Sequence, residues 1–363
     1  MRMHEAVGHR RRGRILARLV VGVAAVVMLA ACGDRGSPSG PQADPLVDRL
    51  IEMGFQRDQI VDRGDFFMVQ GDIRITKAEL RAMPAPKPRT PGGPTYQRYN
   101  TTVASNRRTI HVDLSAVAAE DASWATATRA AMTNWSSVSG AGITYVEGTP
   151  ADVTVTMYSG AGDCTAASSS FPTSGAPGPT LVINRSYSGS YSQAQRNWIM
   201  THELGHTVGL THTDQTFGTL IPGTSTSDAG SVMNSGSTYG GCPPVAPGWS
   251  AFSSGDATAL RWLYPGLSVS ISGKQYVTLH ESAPYTATPA NGSSPYTYEW
   301  RTRQSGPGTS GSWSSWFSTG SSNVTYASIN SCGLNTNYLE ARVTDAGGKQ
   351  ATGSYTIYLT NPC

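Results

Sequence analysis

Eleven residues, His202-Glu203-Leu204-Gly205-His206-Thr207-Val208-Gly209-Leu210-Thr211-His212, constrain the fold more than any other part of this 363-residue chain. Two histidines four apart share a face only if the backbone between them is helical. A helix continued past Gly209 would carry His212 away from that face. Glycine tolerates the left-handed conformation that ends a helix and reverses the chain, so position 209 is where the third histidine can turn back. The helix start is equally legible: Ser192, with Gln195 three residues on, forms a capping-box pattern. The chain is therefore expected to bring three imidazoles to one point at the end of a helix, with Glu203 beside them.

Three imidazoles and one open position describe a catalytic zinc site rather than a closed structural one. We expect one Zn2+ per chain, held by His202, His206 and His212. Zinc lowers the pKa of a bound water to about 7, and Glu203 is placed to take that proton and pass it to a leaving nitrogen. The full spacing arises by chance in about one chain in 10⁵ of this length. His111 and His280 stand in strand-like contexts and read as structural residues.

The formal charge of +3 misleads, because six arginines and one acid lie before residue 19. Without residues 1–31 the formal charge becomes −2. A nearly neutral Ser/Thr/Gly-rich chain has no basic field for phosphate backbones, which argues against a nucleic-acid partner. The basic start, the apolar run Leu19 to Ala31 and then Cys32 read as an export signal, since the run is shorter than the roughly 20 residues of a membrane span. Leu29-Ala30-Ala31-Cys32 resembles the bacterial lipobox, which implies acylation of Cys32 and attachment to the membrane only through that lipid. The expected location is the bacterial cell envelope, or outside the cell after processing. Four further cysteines in an exported chain imply two disulfides. Sequence permits three connectivities, and the domain order favours Cys164–Cys242 and Cys332–Cys363.

Composition divides the rest. Residues 1–31 are the signal, 32–45 a Gly/Pro/Ser-rich tether, 46–83 a small folded segment, and 84–95 a Pro-rich linker. Residues 96–266 alternate strand and helix patterns: strands over 108–114, 143–146, 153–157 and 181–183, a helix over 120–138, the motif helix, and a closing helix in DATALRWLY. From 267 to 363 every signal is β, as expected for a sandwich. Its last hairpin turns near Gly347-Gly348, so facing residues should have numbers that sum to about 695, as Cys332 and Cys363 do. The fold class expected is α+β, a mixed sheet carrying the active-site helix, followed by an all-β sandwich.

The string HELGHTVGLTH matches the metzincin zinc signature H-E-x-x-H-x-x-G-x-x-H, and HELGHTVGLTHTD resembles the bacterial HEIGH-motif (dual-action HEIGH) metallopeptidases, with Leu204 in place of isoleucine. That resemblance implies a metzincin-type zinc endopeptidase acting on protein or peptide substrates. It carries Met233 of Ser231-Val232-Met233-Asn234 over as the methionine of the turn beneath the metal. FFMVQGDIRITKAEL resembles the region ahead of the family's catalytic domain. Some metzincins place a tyrosine two residues after that methionine; here the position holds Ser235, and no tyrosine role is carried to Tyr239. Asp214 is a candidate either to orient a ligand histidine or to serve as a loop aspartate. The arrangement also implies that substrate binds as a strand added to an edge, for which residues 164–171 are the candidate.

The C-terminal sandwich resembles PKD-like or immunoglobulin-like modules, with Trp300 in a central strand. Trp313, Trp316 and Phe317 are candidates for a platform that binds polysaccharide or protein. A rival reading makes the chain a surface adhesion or polymer-binding lipoprotein with a structural or vestigial metal site. Glu203 speaks against it, since a closed structural site has no use for an uncoordinated carboxylate. In zymogens of the clan a pro-segment occludes the cleft. No cysteine is available in residues 46–83 for that task, so an aspartate among Asp62, Asp65 and Asp72 is the candidate metal ligand, with cleavage in the linker, after Arg89, as activation; the alternative is a permanent tether whose small fold only spaces the protease from the membrane.

Overall fold

The computed structural model describes residues 44–83, 97–99, 101–215, 217–225, 228–235, 242, 245–292 and 294–361. The signal, the lipidation site Cys32, the linker 84–95, Tyr239 and Cys363 lie outside these residues. No helix among the described residues is long and apolar enough to cross a membrane.

The small segment opens with helix α1 (Pro45–Met53), where Asp44 caps the first turn by accepting from Leu46 N at 2.9 Å and Gly54, at φ 108°, closes the last. Strands β1 (Ile60–Asp62), β2 (Phe66–Val69) and β3 (Ile73–Thr76) follow as an antiparallel meander, then helix α2 (Lys77–Ala82) behind a Thr76/Glu79 capping box. About forty residues cannot enclose a core of their own. Leu50, Phe55, Phe67, Ile73 and Leu80 complete theirs against Tyr99, Phe171 and Phe217 of the following region. The segment thereby becomes an extension of the larger sheet.

That sheet continues through β4 (Thr109–Asp113), β5 (Thr144–Glu147), β6 (Val153–Tyr158), β7 (Ala167–Ser170) and β8 (Thr180–Asn184), in the order β1-β2-β3-β7-β8-β6-β4-β5. β8, β6, β4 and β5 run parallel to one another, whereas β7 is antiparallel to β8 and parallel to β3. The expected helix over 120–138 is α4 (Ala122–Ser136), and a short helix that was not expected, α3 (Ser115–Glu120), precedes it; Asp121 leaves helical geometry between them and caps α4. Trp124, Ala127, Thr128, Ala131 and Trp135 form the buried stripe of α4, at the spacing of one helix face. It packs on α5 (Gln193–Thr207), which opens at the Ser192/Gln195 capping box. Helix α6 (Ser254–Leu263) closes the domain.

The C-terminal part is a two-sheet sandwich. Ser268–Gly273, Ala283–Ala290 and Val324–Ala327 form one sheet, and the other centres on Thr297–Gly306, Thr336–Thr344 and Gln350–Leu359. Buried Tyr285, Trp300, Leu339, Val343 and Ile357 fill the space between them. The last hairpin pairs Thr336 with Tyr358 and Thr344 with Gln350, so facing numbers sum to 694. This is one less than the expected register. Trp313 and Trp316 are half-buried: the Arg301 guanidinium lies 4.6 and 4.5 Å from their ring centroids, and Arg342 stacks on Trp316 at 4.5 Å. Each indole offers its face to a cation within the domain.

Candidate metal centre

Helix α5 is buried on all sides from Ile199 to Thr207, so each polar group there must find a partner. Trp135 Nε1 donates to the Thr201 carbonyl at 2.7 Å, Asn134 Nδ2 donates to Thr201 Oγ1 at 3.0 Å, and Tyr145 and Thr207 hydroxyls meet at 3.0 Å. Gly209, at φ 89°, ends the helix, its N–H returning to the His206 carbonyl at 2.8 Å. The reversal brings His212 back over the helix.

His202, His206 and His212 place their Nε2 atoms 3.0, 3.2 and 3.2 Å apart. Nδ1 of His202 faces the Val232 carbonyl at 2.7 Å, and Nδ1 of His206 faces the Leu210 carbonyl at 2.7 Å. A carbonyl only accepts, so in both rings Nδ1 carries the proton and Nε2 offers a bare lone pair. His212 Nδ1 lies 3.1 Å from Gln70 Oε1. A fourth donor completes the group: Asp72, whose two oxygens each come within 3.2 Å of His212 Nε2, while one lies 3.4 Å from His202 Nε2 and the other 3.9 Å from His206 Nε2.

Converging lone pairs repel unless a cation sits among them. Tetrahedral ligands about 2.0–2.1 Å from zinc stand about 3.3 Å from each other, and the separations here scatter around that value. Asp72 Oδ1 is buried with no hydrogen-bond donor, as a metal-binding oxygen would be. The donor set thus fits a four-coordinate metal ion.

Electrostatics agree with this assignment. Burial alone would raise the Asp72 carboxyl, but the charges and hydrogen bonds of His212 and His202 outweigh it and hold it far below the ordinary carboxylate range. Burial pulls His206 well below its usual value, which keeps it neutral and able to ligate. It would also lower His202, yet Asp72 lifts that ring to about 9, so a proton and a metal ion compete for this corner.

Glu203 stands beside the cluster and outside it. Its Oε2 accepts from Ser169 Oγ at 2.7 Å, and Ser169 Oγ also lies 2.9 Å from the Glu203 carbonyl. Burial pushes this carboxyl well above its ordinary range, and the Asp72 charge adds to the shift.

Met233 is fully buried beneath the helix. A Cβ at Gly205 would stand 2.4 Å from Met233 Sδ and 3.1 Å from the Trp135 ring, so only glycine lets the turn approach. The turn is tied down by the Asp256 carboxylate, which accepts from Ser231 Oγ at 2.7 Å and Val232 N at 3.1 Å. Asp214 accepts from Ser235 N at 3.0 Å and Ser235 Oγ at 2.6 Å. Its bonds brace the methionine turn against the third histidine's loop, and among them none goes to a histidine ring. Cys164 and Cys242 are bonded to each other, while Cys363, the expected partner of Cys332, lies outside the described residues.

Sequence reading did not find Ser169 or Gln70. Ser169 belongs to a short polar stretch without periodicity and Gln70 to the turn after the apolar strand Phe66–Val69, and their roles come from chain segments far away. Of the three candidate aspartates, Asp72 reaches the cluster, whereas Asp62 pairs with Lys77 at 2.8 Å on the surface. The expected substrate edge, β7, is not a free edge, because β3 is paired along it.

No curated protein matches the chain. Among solved structures, the PKD domain of an M14-like peptidase from a Thermoplasmatales archaeon is similar at 14% identity, with 26% of this chain and 96% of that one covered and a TM-score of 0.18. A CARDB domain from Pyrococcus furiosus in complex with di-metal ions is similar at 16% identity, with 26% and 89% covered and a TM-score of 0.17. Residues 67–217 match the family described as dual-action HEIGH metallopeptidases, a span that holds Asp72, Glu203 and the three histidines. Sequence signature, metal-binding geometry and family match agree over residues 67–217, where this chain is similar to the dual-action HEIGH metallopeptidases.

Proposed function

We propose that the chain is an extracellular zinc endopeptidase of the metzincin type, with His202, His206 and His212 as metal ligands and Glu203 as general base. The observation that carries this reading is the convergence of three Nε2 atoms within 3.2 Å of one another beside an unligated, buried carboxylate. Zinc bound there supplies Lewis acidity to a peptide carbonyl and to an attacking water. Glu203, fixed by Ser169, accepts the proton of the attacking water and then returns it to the amine leaving group. Burial serves that exchange, because a carboxylate with raised proton affinity is both a stronger base and a ready acid near neutral pH. Val232 and Leu210 carbonyls hold two ligand rings in one tautomer and orientation throughout.

Metal analysis is expected to give one zinc per chain and to show its loss in His212→Ala. Casein hydrolysis should stop with 1,10-phenanthroline and return on adding zinc. Normal zinc content in His212→Ala would remove that residue from the site, and chelator-resistant hydrolysis would sink the zinc mechanism.

The N-terminal order of basic segment, apolar run and Leu29-Ala30-Ala31-Cys32 supports export and a lipid anchor. Palmitate incorporation in a bacterial host should depend on Cys32, and equal labelling of Cys32→Ala would exclude that anchor.

A further inference from the structure

A glycine that reverses the chain is also a weak point of the reversal. Gly209 stands at φ 89°, and with no Cβ it can leave that region and swing the peptide unit before it into another orientation. His206 and His212 lie on either side of that peptide, so its orientation sets how one ligand ring stands to the other. The loop supplies part of the restraint: Gly209 N donates to the His206 carbonyl at 2.8 Å, and Leu210 N donates to the Gly205 carbonyl at 3.1 Å. The Val208 carbonyl, at the other end of the same peptide, is one of the last carbonyls of α5, which the helix itself leaves without a donor.

Its donor comes from 56 residues further on: the Tyr264 hydroxyl donates to the Val208 carbonyl. The same oxygen accepts from Val103 N at 3.1 Å. A backbone N–H only donates, so the hydroxyl proton is left to point at Val208. Tyr264 is completely buried, one residue beyond the end of α6, and its place is fixed from that side of the domain. Its N–H returns to the Leu260 carbonyl at 2.8 Å, and its own carbonyl accepts from Gly142 N at 2.6 Å. Arg108 Nη1 donates to the next carbonyl, that of Pro265, at 2.9 Å, while the Arg108 guanidinium lies 5.5 Å from the Tyr264 ring centroid. A Cβ at Gly142 would stand 2.9 Å from the Pro265 oxygen, so the approach that seats Tyr264 also requires a glycine.

We propose that Tyr264 is a positioning residue of the metal centre, its hydroxyl locking the Val208–Gly209 peptide and thereby setting where His212 stands relative to His206. The assignment rests on the zinc-peptidase reading above. Displacement of the reversal would reach two ligands, because the Leu210 carbonyl that accepts from His206 Nδ1 belongs to the same loop. Tyr145 offers the contrast. Its hydroxyl lies 2.8 Å from the Leu204 carbonyl, which Thr207 Oγ1 also serves at 2.7 Å, and that peptide lies inside regular helix.

The test compares Tyr264→Phe with Tyr145→Phe in the full chain, since each removes one buried hydroxyl and keeps its ring. Both are loaded with Co2+, whose visible bands report the arrangement of ligands, and affinity is measured by competition with a chromogenic chelator. Tyr264→Phe is expected to bind cobalt about tenfold more weakly than wild type and to show shifted bands, the lower end of the effect of removing a group that orients metal ligands. Tyr145→Phe should keep the wild-type bands and an affinity within a factor of about two, although it too loses a hydrogen bond of α5. Wild-type affinity and bands in Tyr264→Phe would overturn the assignment, and so would an equal loss in both variants, which would mean that any missing hydroxyl loosens the site. A Tyr264→Phe chain without the circular dichroism of the wild type would make Tyr264 a support of the whole domain and overturn it as well. Wild-type chains that take up no cobalt, or His206→Ala chains that take it up equally well, would overturn the metallopeptidase reading itself and this assignment with it.

Discussion

Glu203→Gln is expected to lower casein hydrolysis by about 10²–10⁴, the usual contribution of a positioned proton-transfer group, with zinc content unchanged. Metal retention follows from geometry, because the four converging donors come from Asp72 and the histidines while Glu203 Oε2 is bonded to Ser169. Glutamine has the same shape and still offers an oxygen to the Ser169 hydroxyl. What it lacks is proton affinity. The loss should therefore fall on kcat more than on KM, since the substitution removes proton transfer and keeps the side chain's shape. Turnover within a factor of a few of the parent, at full zinc occupancy, would remove Glu203 as the base. Loss of zinc would mean that the carboxylate acts at the metal itself.

The second large effect is structural. Trp135→Ala is expected to destabilise the protein by about 3–5 kcal/mol, the range for truncating a fully buried tryptophan. The indole has 0% exposure, and its Nε1–H satisfies the Thr201 carbonyl at 2.7 Å in the turn that carries His202. Its ring also meets Phe252 at 4.4 Å between centroids and lines the space left by Gly205. Truncation leaves a cavity beside the metal-binding turn and an unpaired buried carbonyl. Urea unfolding of the metal-free protein is the measurement, because bound metal would add its own stabilisation and mask part of the loss. A change below about 1 kcal/mol would show that the site collapses around the missing ring.

Asp214 marks where local reasoning stopped. Its position two residues past His212 suggested either a histidine partner or a loop brace, and spacing could not choose between them. Its bonds to Ser235 cross 21 residues of irregular chain, whose path no periodicity describes. Trp313 and Trp316 are similar: aromatic residues in a Gly/Ser-rich stretch suggest an open platform, yet Arg301 and Arg342, from two neighbouring strands, stack on them. The sandwich hairpin came within one residue of its register, because a turn near Gly347-Gly348 leaves the pairing sum uncertain by one.

What the sequence determined by itself is what depends on neighbours a few residues apart. The limits of α5, the convergence of His202, His206 and His212, and the β pattern of the last hundred residues all follow from caps, helix periodicity and a glycine at position 209. Tertiary structure alone decided what fills the cleft. Asp72 meets His212 across 140 residues of chain, and β7, an Ala-Ser-Ser-Ser stretch with no apolar alternation, is a buried strand only because β3, β8 and α5 surround it. Residues 62, 65 and 72 are equivalent as carboxylates. Packing of the small segment's apolar face on Tyr99, Phe171 and Phe217 sets which of them reaches the three histidines, and that choice depends on surfaces brought together by folding.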